Sequence, residues 1–245
     1  MCEFLSQEGH RVYGTSRKGD GIQLIPMDVT DEASVREAIK TVMEREGKID
    51  VLINNAGISS AGPLEETSLA EAKSIFETNV FGLLSVTKAC LPEIRKSKGY
   101  IINISSIAGE IALPYRGIYS ASKFAVEALT ESLSMETSPF GVKVLLIQPG
   151  DLNTNINQNR TVTPVNAQSP YHESFQRHLA DIESHMSQSM DPSVIGKLIV
   201  TILKEPNPKL KYQVGPALQK LSTRIKKILP PRMFEKILKK HYQLD

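Results

Sequence analysis

The sequence predicts an α/β fold, a doubly wound parallel sheet in three layers, and two observations predict it. Short apolar runs alternate along the chain with longer segments whose apolar residues recur at helical spacing. A parallel sheet covered on both faces by crossover helices is the architecture such alternation builds. Three of the runs also end in small, polar, glycine-containing turns: "NNAG" at 54–57, "SSIAG" at 105–109 and "QPGDLNT" at 148–154. Ligands of open parallel sheets bind beyond the carboxyl ends of the strands, so these turns would share one functional edge. Taken singly, each is ordinary turn chemistry.

Phe4 and Leu5 suit the last turns of a helix that Gly9 can stop at C′, and a β-branched strand follows at 12–15. A second run, 22–27, leads into "MDVTDEASVREAI", whose early acids and apolar Val35, Ala38, Ile39 and Val42 mark the start of a helix over 31–46. Strands are expected at 49–53, 100–104 and 142–147 and, more weakly, at 212–214, with helices over 68–96 and 117–138. From 151 to 190 the composition turns to Asn, Gln, Ser and Thr, a long excursion of the kind used for lids and binding loops. The helical "PSVIGKLIVTIL" then returns to the core.

The 245 residues, 40% of them hydrophobic, suffice for one large domain rather than two small ones. With 29 basic and 27 acidic residues the chain as a whole carries no nucleic-acid footprint, although ten Lys/Arg face two acids from Lys209 onward. Cys2 and Cys90 make no disulfide framework and suggest a reducing interior. No run reaches the roughly 18 apolar residues of a membrane span, and the first twenty residues lack the order of a secretion signal. The expected location is the cytoplasm. His172, His178 and His185 lack a tight metal-ligand spacing and read as surface residues, so no metal is expected.

The motif "YSASK" carries the chemistry. Tyr119 and Lys123 are four apart, which places them side by side on one helix face. A phenol titrates near 10, and roughly 4 kcal/mol of preference for phenolate is needed to bring it to neutrality. A neighbouring ammonium in a dry cleft supplies much of that, and the pair can then give a proton to a carbonyl oxygen or take one back. The spacing alone is weak: about one chance match is expected, and Tyr13 with Arg17 is such a match. Conjunction strengthens it. Ser106 ends a strand thirteen residues before Tyr119, and Asn79 is a polar residue in the apolar helix "IFETNVFGLL", needing a partner if buried.

The succession "NNAG", a mid-helix Asn, "NISSIAG", "YSASK" and "PG…T" resembles the classical short-chain dehydrogenase/reductase family, from about residue 4 to residue 154. The resemblance implies a Rossmann-type sheet with Tyr119 as general acid/base, Lys123 lowering its pKa and holding the nicotinamide ribose, Ser106 polarising the substrate carbonyl, and Asn79 holding a proton-relay water. Asn55, Ala56 and Gly57 would shape the cofactor cleft. Asp28 and Val29 would meet the adenine, and Leu152 and Thr154 the nicotinamide end. The implied substrate is a small-molecule carbonyl or alcohol. Residues 1–154 would form the cofactor and catalytic core, 155–190 the substrate loop, and 191–245 the C-terminal helices and last strand.

An NAD site places an acid at the end of the second strand, where it would repel a 2′-phosphate. Here Ser16 stands there, with Arg17 and Lys18 behind it, and a guanidinium pairs well with phosphate. NADP is therefore expected over NAD. The family's opening strand and glycine-rich turn, which approach the pyrophosphate at a helix N-terminus, are not found before the first helix, so the sheet should lack its usual first strand and expose two edges. An upstream start is expected, the alternative being a non-catalytic Rossmann-like binding protein. The basic amphipathic tail "STRIKKILPPRMFEKILKKHYQ" suits an anionic membrane, a cap on the substrate pocket, or another subunit of a homo-oligomer. Following "YQVGP", it resembles the hydroxysteroid and retinol-type branch of the family, implying a lipophilic substrate.

Overall fold

Near-continuous apolar runs make the central strands, as expected where both sheet faces are covered. In the computed structural model, which describes residues 1–19, 24–153, 160–186 and 190–244, with the side chains of 183–186 left aside, these runs are β3 (Val51–Asn54), β5 (Tyr100–Ile104), β6 (Lys143–Pro149) and β8 (Lys211–Val214). They form a parallel sheet in the order β3-β5-β6-β8. A separate parallel pair joins β1 (Gly14–Ser16) to β2 (Leu24–Pro26). β1 and β3 are not hydrogen-bonded to each other, which leaves the two edges expected from the sequence. A two-residue pair, β4 (Ser60–Ala61) with β7 (Thr161–Val162), ties the segment after β3 to the segment after β6.

Alternation along the strands divides the core between two faces. Ile101 and Val144 point to one side, where they join Ile25, Met27, Val35, Ala38, Val86 and Ile94 from β2, α2 (Glu32–Glu46), α4 (Leu83–Ser97) and their flanks. Ile102, Leu145 and Ile147 point to the other side, against Leu5 of α1 (Cys2–Gln7) and Ile195, Ile199 and Ile202 of α7 (Ser193–Lys204). The two sheets thus share the first of these apolar clusters, and helices cover the larger sheet on both faces.

The helix signals act where the sequence puts them. Asp31 accepts from the Ala33 N–H at the start of α2, and Gly47 closes that helix at φ 69°. Ser68 and Glu71 form a reciprocal capping box at the start of α3 (Leu69–Phe76). The helix predicted over 68–96 departs from regularity at Glu77–Gly82, a π-helical turn between α3 and α4. Such turns insert one residue and cluster at functional sites. A β-carbon on Gly82 would lie 2.7 Å from Val29 Cγ2, so only glycine lets this turn approach the end of β2.

Two expectations are corrected. The strand predicted at 22–27 is Leu24–Pro26, residues 20–23 lying outside the description. The polar excursion 151–190 contains a helix, α5's successor α6 (His172–Met186), where α5 is Gly117–Thr137. Its buried stripe is narrow, with Phe175 and His178 the buried members among its described side chains, and a histidine does not register in an apolar count. The chain closes with α8 (Ala217–Ile228) and α9 (Pro231–His241), split by Pro230 and Pro231. No described helix is long and apolar enough to cross a membrane. Both cysteines are free.

Candidate active site

β5 delivers Ser105 and Ser106 to the carboxyl edge of the sheet, and a 3-10 turn at Ile107–Gly109 reverses the chain towards α5. Tyr119 and Lys123 lie one turn apart near the start of α5, 5% and 4% exposed. The Lys123 ammonium donates to the Ile104 carbonyl at 3.0 Å, which aims it at the end of β5 and uses one of its three N–H groups. It lies 5.9 Å from the Tyr119 ring centre, and the Arg116 guanidinium carbon lies 4.7 Å from it. The Tyr119 ring thus has two cations within 6 Å of its centre. Ser106 Oγ accepts from the Ala108 N–H at 3.1 Å, so its own proton stays available to a ligand. Ser105 Oγ is buried with no hydrogen-bond partner among the described residues.

Ser106, Tyr119 and Lys123 line one wall of a cavity of about 980 Å³, together with Asn55 and Leu152. Asn79 does not line it. From the π-helical turn its carboxamide accepts from the Ile58 N–H (2.8 Å) and donates to the Ile58 carbonyl (2.9 Å) and to Ser122 Oγ (3.0 Å). Ser122 Oγ in turn donates to the Tyr119 carbonyl at 2.7 Å. Asn79 therefore fastens the segment after β3 to the turn of α5 that carries Tyr119, and its burial is fully partnered.

The other predicted positions fall in two groups. Leu152 is buried, bridged to Met190, and faces the same cavity as Asn55. Ala56 is exposed and Gly57 half-buried just beyond Asn55, and Thr154 lies outside the described residues. Arg17, Asp28 and Val29 gather instead at the carboxyl ends of β1 and β2, away from the lining of the cavity. Asp28 Oδ1 accepts from the Thr30 N–H (2.9 Å) and hydroxyl (2.7 Å). Those bonds, helped by the Arg17 charge and opposed by partial burial, hold its carboxyl below the usual value. Ser16 Oγ accepts from the Gly19 N–H at 3.0 Å, closing the turn on which Arg17 and Lys18 are exposed.

The opposite wall is apolar and comes from elements whose role the sequence left open. Leu218 and Ile225 of α8 and Phe234, Ile237 and Leu238 of α9 line the cavity, so the basic tail caps it. His178 of α6 lines it too, and here the surface reading is corrected: it is 3% exposed, and neither ring nitrogen has a hydrogen-bond partner among the described residues. Burial, followed by the Arg116 and Arg160 charges, pushes it down to about 4. Among the described residues no cluster has the makings of a metal site. Two further features escaped sequence reasoning. Arg116, the N-cap residue of α5, stands three residues before Tyr119, a spacing too common to single it out. Asn54, read as part of a turn, instead ends β3 with its side chain buried, donating to Asn103 Oδ1 of β5 (2.8 Å) and to Thr87 Oγ1 of α4 (2.9 Å).

A wall with a phenol, a hydroxyl and an ammonium at a parallel sheet's carboxyl edge can bind and protonate an oxygen atom held opposite an apolar surface. The family model described as short chain dehydrogenase matches residues 5–164. A 3-ketodihydrosphingosine reductase of Bacteroides thetaiotaomicron is 42% identical over 99% of this chain and 93% of its own. A short-chain dehydrogenase from Streptomyces avermitilis superposes with a TM-score of 0.81 at 30% identity, over 93% of this chain and 87% of that one. A gluconate 5-dehydrogenase from Burkholderia cenocepacia, solved with NADP and tartrate, gives a TM-score of 0.59 at 28% identity, over 64% and 68% of the two chains.

Proposed function

Since the chain belongs to the short-chain dehydrogenase family of oxidoreductases, we propose that it moves a hydride between NADP(H) and the carbonyl or alcohol carbon of a lipophilic small molecule, with Tyr119 as the proton donor and acceptor. The observation that carries this reading is the convergence of Ser106, Tyr119 and Lys123 on one cavity wall, with Arg116 stacked on the phenol.

In the reducing direction Ser106 Oγ and Tyr119 Oη donate hydrogen bonds to the substrate oxygen, which fixes the carbonyl and stabilises charge growing on it. Tyr119 then gives up its proton as the alkoxide forms, with the Lys123 and Arg116 charges beside its ring. In the oxidising direction the phenolate takes the hydroxyl proton. Lys123 has two N–H groups beyond its bond to Ile104, a donor set suited to ribose hydroxyls. Asn55, Ala56 and Gly57 would shape the cofactor cleft, Leu152 would meet the nicotinamide end, and Asp28 and Val29 the adenine. When bound, the dinucleotide supplies or accepts the hydride. Asn79 acts by holding α5 against the segment after β3, and a water beside it would relay protons to Lys123, as the family resemblance implies. Arg17 and Lys18 favour a 2′-phosphate over an unmodified ribose. The apolar wall from α8 and α9, and the name of the 3-ketodihydrosphingosine reductase that this chain resembles, support a lipophilic ketone as substrate.

The test is Tyr119→Phe, which keeps the ring and its cation contacts and removes the acid. NADPH binding, followed by fluorescence titration, should be retained while carbonyl reduction falls by about 10²- to 10⁴-fold. Undiminished turnover would refute the assignment.

A further inference from the structure

We propose that the outer face of the α8–α9 pair docks on an anionic lipid bilayer, so that a lipophilic substrate reaches the cavity from the membrane. The inference rests on the oxidoreductase reading only for the substrate, and the docking itself rests on the surface.

On α8, Leu218, Leu221, Ile225 and Ile228 follow one another at spacings of three and four, a single stripe of the helix. Ile225 turns in to the cavity, whereas Leu218 is 71% exposed, Leu221 is exposed, and Ile228 is 80% exposed. On α9, Met233 and Ile237 are exposed while Phe234 is buried. Leu218 and Ile237 belong to both sets, lining the cavity and facing solvent, so they stand at its mouth. Large apolar side chains gathered around an opening need a partner.

The charges beside them select which one. Lys226 and Lys227 are engaged with Glu110, and Arg232 and Lys239 with Glu235. Among the described residues Lys220, Arg224, Lys236 and Lys240 have no ion-pair partner, and they flank the apolar stripes on both helices. A second copy of this chain would set these cations against one another across a twofold axis. An anionic lipid surface complements them and takes the leucines and isoleucines between them at headgroup depth.

The experiment is cosedimentation of the full chain with phosphatidylglycerol/phosphatidylcholine vesicles and with phosphatidylcholine alone. Binding is expected to the anionic vesicles, weakened severalfold by high salt. Each of Lys220, Arg224, Lys236 and Lys240 changed to Gln should weaken it about fivefold. The triple variant Leu221→Glu, Ile228→Glu, Met233→Glu touches no cavity-lining residue. It should lose vesicle binding by at least about tenfold while keeping its thermal melting point and its turnover of a water-soluble carbonyl. Failure of the wild-type chain to bind anionic vesicles would overturn the proposal, as would binding indifferent to these substitutions, or a dimer in solution that the triple variant dissolves. Vesicle binding by a chain that reduces no carbonyl would sustain the docking and count against the oxidoreductase reading alone.

Discussion

Arg116 is the residue whose contribution the geometry isolates most cleanly. Its guanidinium carbon sits 4.7 Å from the Tyr119 ring centre, and its Nη2 donates to Ser59 Oγ at 3.2 Å, which fixes the stack. A cation over an aromatic face is worth about 0.5 to 2 kcal/mol, and over a phenol that ionises the attraction grows as the ring turns anionic. Arg116→Met is therefore expected to lower kcat by about 2- to 30-fold with KM for the carbonyl substrate little changed. Arg116→Lys should restore part of that loss, and a kcat that does not fall in Arg116→Met would make the stack merely structural. At this scale the sequence was legible where spacing and residue type coincide, as for Tyr119, Lys123 and Ser106. It was silent on Arg116 and misleading on Asn54, whose buried side chain pairs with Asn103 in the register Asn54↔Asn103 and with Thr87 on the covering helix α4. A turn motif does not say which of its residues turns inward.

Among the elements, the π-helical turn at Glu77–Gly82 links local irregularity to the site. Its extra residue leaves Asn79 buried, facing the Ile58 backbone and Ser122 rather than its own helix. Replacing Asn79 by Ala strands the Ile58 N–H and C=O and one acceptor bond of Ser122, and leaving such groups unpaired costs about 1 to 3 kcal/mol. The expected result is a Tm lower by roughly 2–4 °C for each kcal/mol, together with reduced turnover, measured by calorimetry and steady-state kinetics on the same preparation. Loss of turnover with an unchanged Tm would mean that Asn79 acts in the proton path alone. The sequence announced an unusual polar residue here but not the π turn, because one inserted residue hardly alters apolar periodicity across a helix running from Leu69 to Ser97. The same limit hid α6, whose buried stripe passes through a histidine.

Taken as a whole, the molecule sets a sheet that was legible almost strand by strand against a C-terminal wall that was not. Strands buried on both faces write their burial as apolar runs. A helix with one face on a cavity and the other outside is amphipathic whatever its partner, so α8 and α9 became readable only once placed. That wall has a consequence for stability, since it helps to seal His178, which contacts the rings of Tyr115 and Tyr242 at 5.3 and 5.5 Å and is held neutral by burial down to about 4. An unfolded chain protonates this histidine near 6.5, so between pH 6.5 and 4 the unfolded state binds the extra proton and stability must fall with pH. The slope approaches 1.36 kcal/mol per pH unit, for a loss of about 3 kcal/mol across the window. Glu110 adds a second, separate loss. Burial raises its pKa, but the Gln148 hydrogen bond and the Lys227 and Lys211 ammoniums outweigh this and hold it below 4.5, so its contribution is present above that value and disappears only as pH falls beneath it. Urea unfolding measured from pH 7.5 downwards should therefore show a decline beginning near 6.5 in the wild-type chain. In His178→Phe the decline should be delayed until the carboxylates titrate, and a variant that retained the upper part of the slope would show that the histidine is not its source.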